Sequence, residues 1–237
     1  MKRLACVLSA CLLAASAFAL DLGAGVNGGS LSSTMSTKMD TSNLDIDKKD
    51  VTKYGDINFG LVLSTDYVQF GAGYLKLSNG GSSSSGTQTV TVGSFKTYTD
   101  LTGSSAATKA SYTYIPVQVL LRYPAKMGKI TLIPMGGLEY DFCVAATGSD
   151  GKAITSTTDA SGATTDLSYF NRLFAKVGLG FEIPVTKKIV LRPQALCSFG
   201  LYSKAESDYK THNDTSDTSY SFFDFDIAGG LVLAYRL

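Results

Sequence analysis

The sequence predicts an all-β fold, an eight-stranded antiparallel up-and-down transmembrane β-barrel. Three observations support this prediction. Eight segments alternate apolar with small or polar residues, the period of a β-strand, because successive side chains leave opposite faces. The connections between these segments alternate between short and long, and the charges within them share one face. Apart from the amino terminus, no stretch approaches the roughly 18 apolar residues of a transmembrane helix.

The amino terminus has the three parts of a secretory signal peptide. A basic start at residues 1–3 precedes an apolar run at residues 4–15, and Ala17-Phe18-Ala19 forms an A-x-A cleavage site. We therefore expect residues 1–19 to be a cleaved signal and residues 20–237 to form the barrel. An alternative stays open, because Leu8-Ser9-Ala10-Cys11 resembles a lipobox and would make Cys11 a lipidated amino terminus.

The eight predicted strands cover residues 20–30, 56–64, 67–77, 112–123, 130–142, 169–185, 189–202 and 221–237. In each of them large apolar side chains occupy one face. In chain order these are Leu20, Leu22, Ala24 and Val26; Ile57, Phe59, Leu61 and Leu63; Val68, Phe70, Ala72 and Tyr74; Ile115, Val117, Val119, Leu121 and Tyr123; Leu132, Leu138, Tyr140 and Phe142; Leu173, Ala175, Val177, Leu179, Phe181 and Ile183; Ile189, Leu191, Ala195, Cys197 and Phe199; and Phe223, Phe225, Ile227, Leu231, Leu233, Tyr235 and Leu237. Most segments reach the roughly 9–11 residues of a tilted membrane strand.

The connections predict the orientation of the barrel. Short turns are expected at residues 65–66, 124–129 and 186–188, whereas long polar connections cover residues 31–55, 78–111, 143–168 and 203–220. Short periplasmic turns and long outer loops are typical of outer-membrane barrels. An even number of strands then places both termini in the periplasm. The long connections are rich in Ser, Thr and Gly, so we expect them to be mobile loops.

The charges decide which face is lumenal. Ten charged residues within the strands share the face opposite the apolar one, and they are Arg122, Glu139, Asp141, Arg172, Lys176, Glu182, Arg192, Asp224, Asp226 and Arg236. A water-soluble barrel would have to pack the many large apolar side chains of the other face into a narrow lumen. We therefore expect the charged face to line the lumen and its five acids and five bases to pair as a structural plug. A gated ion or solute path is the alternative interpretation.

Three stretches resemble the small eight-stranded outer-membrane barrels of Gram-negative bacteria, the group of the OmpA transmembrane domain, OmpX and OmpW. They are residues 114–123, residues 178–182 before a Lys-Lys turn, and residues 230–237. The last is similar to the carboxy-terminal insertion signal of that group, with Leu233, Tyr235 and Leu237 on one face, although Leu237 stands where Phe is usual. The resemblance implies that outer-membrane lipid and the outer-membrane assembly machinery are partners.

Other motifs point to no chemistry. Residues 23–28 match the letters G-x-G-x-x-G, but a dinucleotide site needs a helix after them within a βαβ unit, so we interpret the glycines as small lumenal residues. The sole histidine, His212, lies in a polar stretch that predicts a solvated loop. We expect no catalytic residue, no cofactor and no metal site. Cys143 and Cys197 fall on opposite faces of non-neighbouring strands, which predicts free thiols.

The predicted function is therefore non-enzymatic. The barrel would anchor long polar surface loops with a structural or surface-interaction role, similar to that of an adhesin, and host or extracellular ligands would bind the loops. The alternative, implied by the OmpW resemblance, is a narrow channel for small, partly apolar solutes. With 19 basic and 20 acidic residues after cleavage, the chain offers no broad positive field, so we expect no nucleic-acid partner.

Overall fold

The computed structural model describes residues 20–92, 94–158 and 162–237. The predicted signal peptide and the alternative lipidation at Cys11 lie outside these residues. Eight long strands form the body of the protein, and they are β1 (Asp21–Asp40), β2 (Leu44–Ser64), β3 (Val68–Val92), β4 (Ser111–Arg122), β5 (Ile130–Thr147), β6 (Arg172–Pro184), β7 (Ile189–Ser203) and β8 (Thr218–Arg236).

The eight strands close into a ring. Each pairs antiparallel with its neighbours in the chain, from β1–β2 through to β7–β8. The last strand then returns to the first, with Asp21 opposite Arg236 at one end of the pair and Met39 opposite Thr218 at the other. The fold is an eight-stranded antiparallel up-and-down β-barrel, which confirms the predicted fold class. Within the described residues, no helix is long and apolar enough to cross a membrane.

The two faces of the wall have the predicted polarity. Large apolar side chains point away from the barrel axis and stay exposed, for example Leu61 at 65%, Leu121 at 66% and Leu233 at 55%. Their neighbours along the strands point inward and are buried. Along β4 and the residue that follows it, outward apolar side chains extend from Ile115 to Tyr123, nine residues, the length of a tilted membrane strand. The barrel therefore has the apolar outer band of a transmembrane barrel, and its interior holds both charged and apolar side chains.

The prediction of a mobile loop at residues 31–55 is wrong. β1 continues to Asp40 and β2 begins at Leu44, so residues 41–43 alone form the turn. The two strands stay in register up to the pair Asp40–Asp45. These strands cannot be predicted from an alternation of apolar and polar residues, because polar side chains occupy both of their faces. Their Thr, Val, Ile and Tyr content nevertheless favours strands, and the backbone ladder satisfies the polar groups.

The predicted loop at residues 78–111 is also largely strand. β3 continues to Val92 through a bulge beside Gly81, whose φ of +114° suits glycine. Residues 95–100 then fold back onto residues 87–92, and residues 103–105 pair with residues 82–84. We call the extension of β8, β1, β2 and β3 beyond the barrel wall, together with residues 95–105, the distal sheet. Residues 95–105 cover the edge that β3 would otherwise expose.

The remaining connections differ less from the prediction. Residues 203–220 contain a helix, α1 (Lys204–Asn213). In the predicted connection at residues 143–168, β5 continues to Thr147 and short paired strands follow. A 3-10 turn at Leu167–Phe170 takes the place of the predicted start of the sixth strand at residue 169, and β6 begins at Arg172. The short turns predicted at residues 65–66 and 186–188 are confirmed and are each one residue longer, and residues 125–127 form a small hairpin with residues 130–132. All three turns lie at the end of the barrel where the first strand begins, at Asp21, and the last strand ends, at Arg236. Below, this end is called the base, and the opposite end is called the mouth.

Candidate functional site

All ten charged residues predicted to face the lumen lie on the inner face, and eight of them form ion pairs. They fall into two groups at different heights. Three arginines lie at the base, whereas most of the carboxylates lie nearer the mouth. Two further lumenal acids, Asp21 and Asp56, were not in the predicted set. Each stands an even number of positions from the inward residues of its strand, so the alternation alone could have identified both as lumenal.

The basal network consists of Asp21, Arg122, Glu182, Arg192 and Arg236. Arg192 donates to Glu182 from Nε at 2.9 Å and from Nη2 at 2.7 Å, and its Nη2 also donates to Asp21. Arg236 contacts the same two carboxylates from the carboxy-terminal strand. Arg122 donates from Nη1 to the carbonyl oxygen of Thr65 at 2.7 Å, and its Nη2 lies 3.9 Å from Glu182. These contacts join β1, β4, β6, β7 and β8 across the lumen.

Apolar side chains fill the lumen next to the basal network. Leu120 and Val62 stand two positions further from the base than Arg122 and Ser64, and both are buried. Two buried clusters result, and they contain Leu120, Ile133, Met135 and Leu196, and Val62, Val190, Val232 and Ala234. An eight-stranded barrel is just wide enough for side chains to fill. Charged and apolar layers thus both occlude the lower lumen.

The upper lumen is rich in acid. Asp56, Glu139, Asp141, Asp224 and Asp226 face two bases among the residues that the structure describes, Arg172 and Lys176. Arg172 pairs with Asp141 at 2.9 Å, and Lys176 pairs with Glu139 at 2.6 Å.

The other three carboxylates of the upper lumen lack such a partner. Asp56, Asp224 and Asp226 have no base within 4 Å among the described residues, although Ser198 donates to Asp226 at 3.3 Å. The upper lumen therefore has three more acids than bases, and these acids are not neutralised by ion pairs.

An open cavity of about 200 Å³ lies at the mouth above this acidic layer, and we call it the vestibule. Its aromatic wall consists of Tyr54, Tyr112, Tyr114 and Phe170, with Tyr112 at its centre. The Tyr112 ring lies 6.2 Å from that of Tyr54, 5.4 Å from that of Phe170 and 6.3 Å from that of Tyr114. Arg172, Asp224 and Glu206 also line the vestibule.

Helix α1 supplies the remaining wall of the vestibule. Glu206 in its first turn and Lys210 in its last turn suit the helix dipole. The hydroxyl of Tyr169 donates to Asp208 at 3.0 Å, which ties the 3-10 turn to the helix. Burial, reinforced by the neighbouring Asp224 carboxylate, raises the pKa of Glu206 to about 7, and Arg172 opposes this shift.

His212 lies near the end of α1, not in the loop that the sequence predicted. A polar helix of ten residues has no apolar stripe, so hydrophobic periodicity cannot identify it. The helical spacing places Nδ1 of His212 3.1 Å from a carboxylate oxygen of Asp208, one turn earlier, and the side chain is exposed.

The other sequence motifs also have defined places. The G-x-G-x-x-G letters lie inside the continuous strand β1, so the helix that a dinucleotide fingerprint requires does not follow them. Cys143 faces the lumen from β5 and Cys197 faces outward from β7, and both are free thiols, as predicted. The vestibule residues Tyr54, Tyr112 and Glu206 were missed, because they lie at or beyond the ends of the predicted strands.

No family model matches the chain, and no curated protein matches it. Among solved structures, the chain is similar to Neisserial surface protein A, with 8% identity, a TM-score of 0.43, and coverage of 90% of this chain and 96% of that chain. It is also similar to the outer membrane protein OprG from Pseudomonas aeruginosa, with 12% identity, a TM-score of 0.35, and coverage of 93% and 98%. The outer membrane protease OmpT from Escherichia coli gives 11% identity, a TM-score of 0.36, and coverage of 92% and 97%. The fold assignment rests on the chain's own strand pairing.

Proposed function

We propose that this protein is an integral outer-membrane barrel that presents the distal sheet as a non-enzymatic, surface-exposed interaction module. The observation that carries this proposal is the contrast between the barrel and its extension. The outward apolar band along β4 spans nine residues, 115–123, whereas β3 alone is 25 residues long. At about 3.3 Å per residue, β3 reaches roughly 80 Å along its path, far more than a membrane core requires.

The proposed membrane position is supported by the side chains of the wall. In water, a continuous outer band of exposed Leu, Val, Ile and Phe would drive aggregation, but in lipid it is the favourable surface. The ten predicted strand charges are on the other face, where ion pairs stabilise eight of them. The outer membrane is proposed because barrels of this architecture span it, with outer-membrane lipid around the band.

The proposed orientation places the base and both termini in the periplasm. The three short turns lie at the base, and the distal sheet and α1 lie at the other end. We further propose that residues 1–19 are a cleaved export signal, with lipidation at Cys11 as the alternative. Leu233 and Tyr235 are exposed on the outer face of β8, and with Leu237 they would serve as the insertion signal read by the assembly machinery.

The tip of the distal sheet supports a role in surface interaction. Val92, Phe95 and Tyr98 lie at the far end of β3 and the strand that folds back on it, and they are 70%, 80% and 70% exposed. Exposed apolar side chains this far from the lipid band are typical of sites that bind another molecule. Host or extracellular ligands are the proposed partners of this tip.

The narrow-channel alternative has less support. A conducting barrel needs a continuous polar path, but the basal network and the two apolar clusters occupy the lower lumen. We interpret the basal network and the two apolar clusters as a structural plug with an acidic layer above it, in which Asp224 and Asp226 are not paired as the sequence predicted.

Two measurements test the proposal. The chain should fractionate with the outer membrane and shift its gel mobility on heating. Bacteria that display the protein should adhere to plates coated with extracellular-matrix proteins. The double variant Phe95→Ser/Tyr98→Ser should lose this adhesion, and Lys96→Ser/Thr99→Ser in the same short strand is the matched control. Equal adhesion of all three proteins, with folding intact, would refute the role of the tip.

A further inference from the structure

We propose that the vestibule is a binding site for a small organic cation, a primary amine or a quaternary ammonium compound. The inference rests on the folded barrel alone and does not depend on the compartment that the mouth faces. Three features of the vestibule support it: an unpaired buried carboxylate, an acidic layer beneath it, and a wall of aromatic rings.

The unpaired carboxylate is Asp224 on β8. Its side chain is 5% exposed, and its Oδ1 has no hydrogen-bond partner among the described residues. A buried carboxylate oxygen without a partner is costly, so it favours a ligand that brings a donor or a positive charge. Asp224 lines the vestibule directly, with Glu206 of α1 on the same cavity. Two carboxylates can thus reach one bound cation.

The charge balance selects a cation over an anion. Arg172 lines the same cavity, but its guanidinium already pairs with Asp141 at 2.9 Å. Lys176, the other base of the upper lumen, is held by Glu139 at 2.6 Å. In the described part of the chain, Asp56, Asp224, Asp226 and Glu206 have no base that forms an ion pair with them. An anion would meet this excess negative charge in a confined site, whereas a cation would relieve it.

The aromatic wall favours an organic cation. Rings of Tyr and Phe attract a cation through the negative charge of their faces, and this attraction grows when the cation is desolvated. The protein already uses the contact here, because the Arg172 guanidinium lies 4.4 Å from the Tyr114 ring centre and 5.0 Å from that of Phe174. Tyr54, Tyr112 and Phe170 offer further ring surface to a ligand above Arg172.

The size of the vestibule also favours an organic cation. A vestibule of about 200 Å³ is far larger than a single ion and suits a compact molecule of several heavy atoms. A divalent metal ion such as calcium is held by six to eight oxygen ligands, roughly, whereas an alkylammonium group needs one or two carboxylates and apolar contact for its carbon atoms. The vestibule has two carboxylates, Asp224 and Glu206, beside aromatic rings, and therefore meets the requirements of an alkylammonium group.

The test is calorimetric titration of the purified full-length barrel in detergent. The probes are choline chloride and 1,4-diaminobutane dihydrochloride, with sodium chloride at equal ionic strength as the reference. We expect saturable binding of at least one amine probe and none of sodium. Asp224→Asn should bind about tenfold more weakly, because it loses a charge-assisted hydrogen bond to the diamine or the charge attraction to choline. Tyr112→Leu should weaken binding of choline by a similar factor.

The matched control is Asp226→Asn, which removes the same charge two residues along β8 but does not line the vestibule. It should weaken binding, but less than Asp224→Asn does, because it removes one charge of the acidic layer and no direct contact with the ligand. Circular dichroism and heat-dependent gel mobility report folding, and Glu206→Gln on α1 replaces Asp224→Asn if the latter does not fold. Absence of saturable amine binding would overturn the proposal. Equal loss in the Asp224 and Asp226 variants would overturn the assignment to the vestibule.

Discussion

Arg192 of β7 binds Glu182 of β6 with two hydrogen bonds, 2.9 Å from Nε and 2.7 Å from Nη2. The same guanidinium donates to Ser64 of β2 at 2.9 Å and to Asp21 of β1. One side chain thus connects four strands at the base of the barrel. This relationship makes Arg192 the centre of the plug.

Arg192→Ala should destabilise the barrel strongly. The substitution leaves Glu182 and Asp21 buried with less positive charge, and breaking a buried pair costs about 3–5 kcal/mol, less where water reaches the remaining charge. Urea unfolding in detergent micelles measures the change in the free energy of unfolding. Lys187→Ala in the exposed turn between β6 and β7 is the control and should have little effect. Equal stability of the two variants would show that the network does not hold the base together.

The plug also predicts the conductance. Wild-type protein in planar bilayers should be closed, because the basal network and Leu120 both occupy the lower lumen. The double variant Arg192→Ala/Leu120→Gly removes one side chain from each layer and should produce stable current steps. A wild-type protein that already conducts as an open pore, with the double variant unchanged, would mean that the charges line a channel.

Two glycines of the barrel wall, Gly137 on the lumenal face and Gly229 on the outer face, predict a third result. A Cβ on Gly137 would overlap the carbonyl oxygen of Val119 on the neighbouring strand, whereas a Cβ on Gly229 would have no heavy atom within 4 Å. Gly137→Ala should therefore destabilise the barrel by about 1–3 kcal/mol through overpacking. Gly229→Ala should leave the urea midpoint nearly unchanged. The reverse order of the two midpoints would contradict the packing of the wall.

The pKa of Glu206 predicts a pH dependence for amine binding. Burial and the Asp224 carboxylate raise this pKa to about 7, so the carboxyl group loses its proton as the pH rises through neutrality. The charged groups and phenols that face it are Asp224, Arg172, Tyr54, Tyr112 and Tyr114, with Lys210 one turn along α1. Affinity for choline should rise about threefold to tenfold between about pH 6 and pH 8, because a second carboxylate becomes negative.

Glu206→Gln is the variant that tests this pH dependence. It should remove most of the rise, as measured by calorimetric titration at several pH values. An unchanged rise in the variant would assign the titration to another group.

The sequence predicted the barrel because the membrane imposes a strong pattern. Lipid outside and a polar lumen inside force alternation, so residues such as Leu121 and Arg122 could be assigned to faces from parity alone. In the distal sheet both faces of the strands meet water, so the alternation of apolar and polar residues is absent. Residues such as Thr34, Val51 and Thr52 still favour strands there.

The candidate site was predicted only in part, for a related reason. Parity places Asp224 in the lumen, but it cannot show that the acids gather near the mouth and the arginines at the base. The vestibule also needs Tyr54 and Glu206, which belong to segments without hydrophobic alternation. Their convergence depends on the long β1–β2 hairpin and on α1, which only the three-dimensional fold brings together.

The orientation of the barrel is the central claim, and labelling of intact bacteria tests it most directly. In a Cys143→Ser/Cys197→Ser background, Thr97→Cys places a thiol at the tip of the distal sheet, and Lys187→Cys places one in a basal turn. A membrane-impermeant maleimide should label the Thr97 variant on intact cells and the Lys187 variant only after lysis. Labelling of the Lys187 variant on intact cells, with the Thr97 variant protected until lysis, would contradict the account.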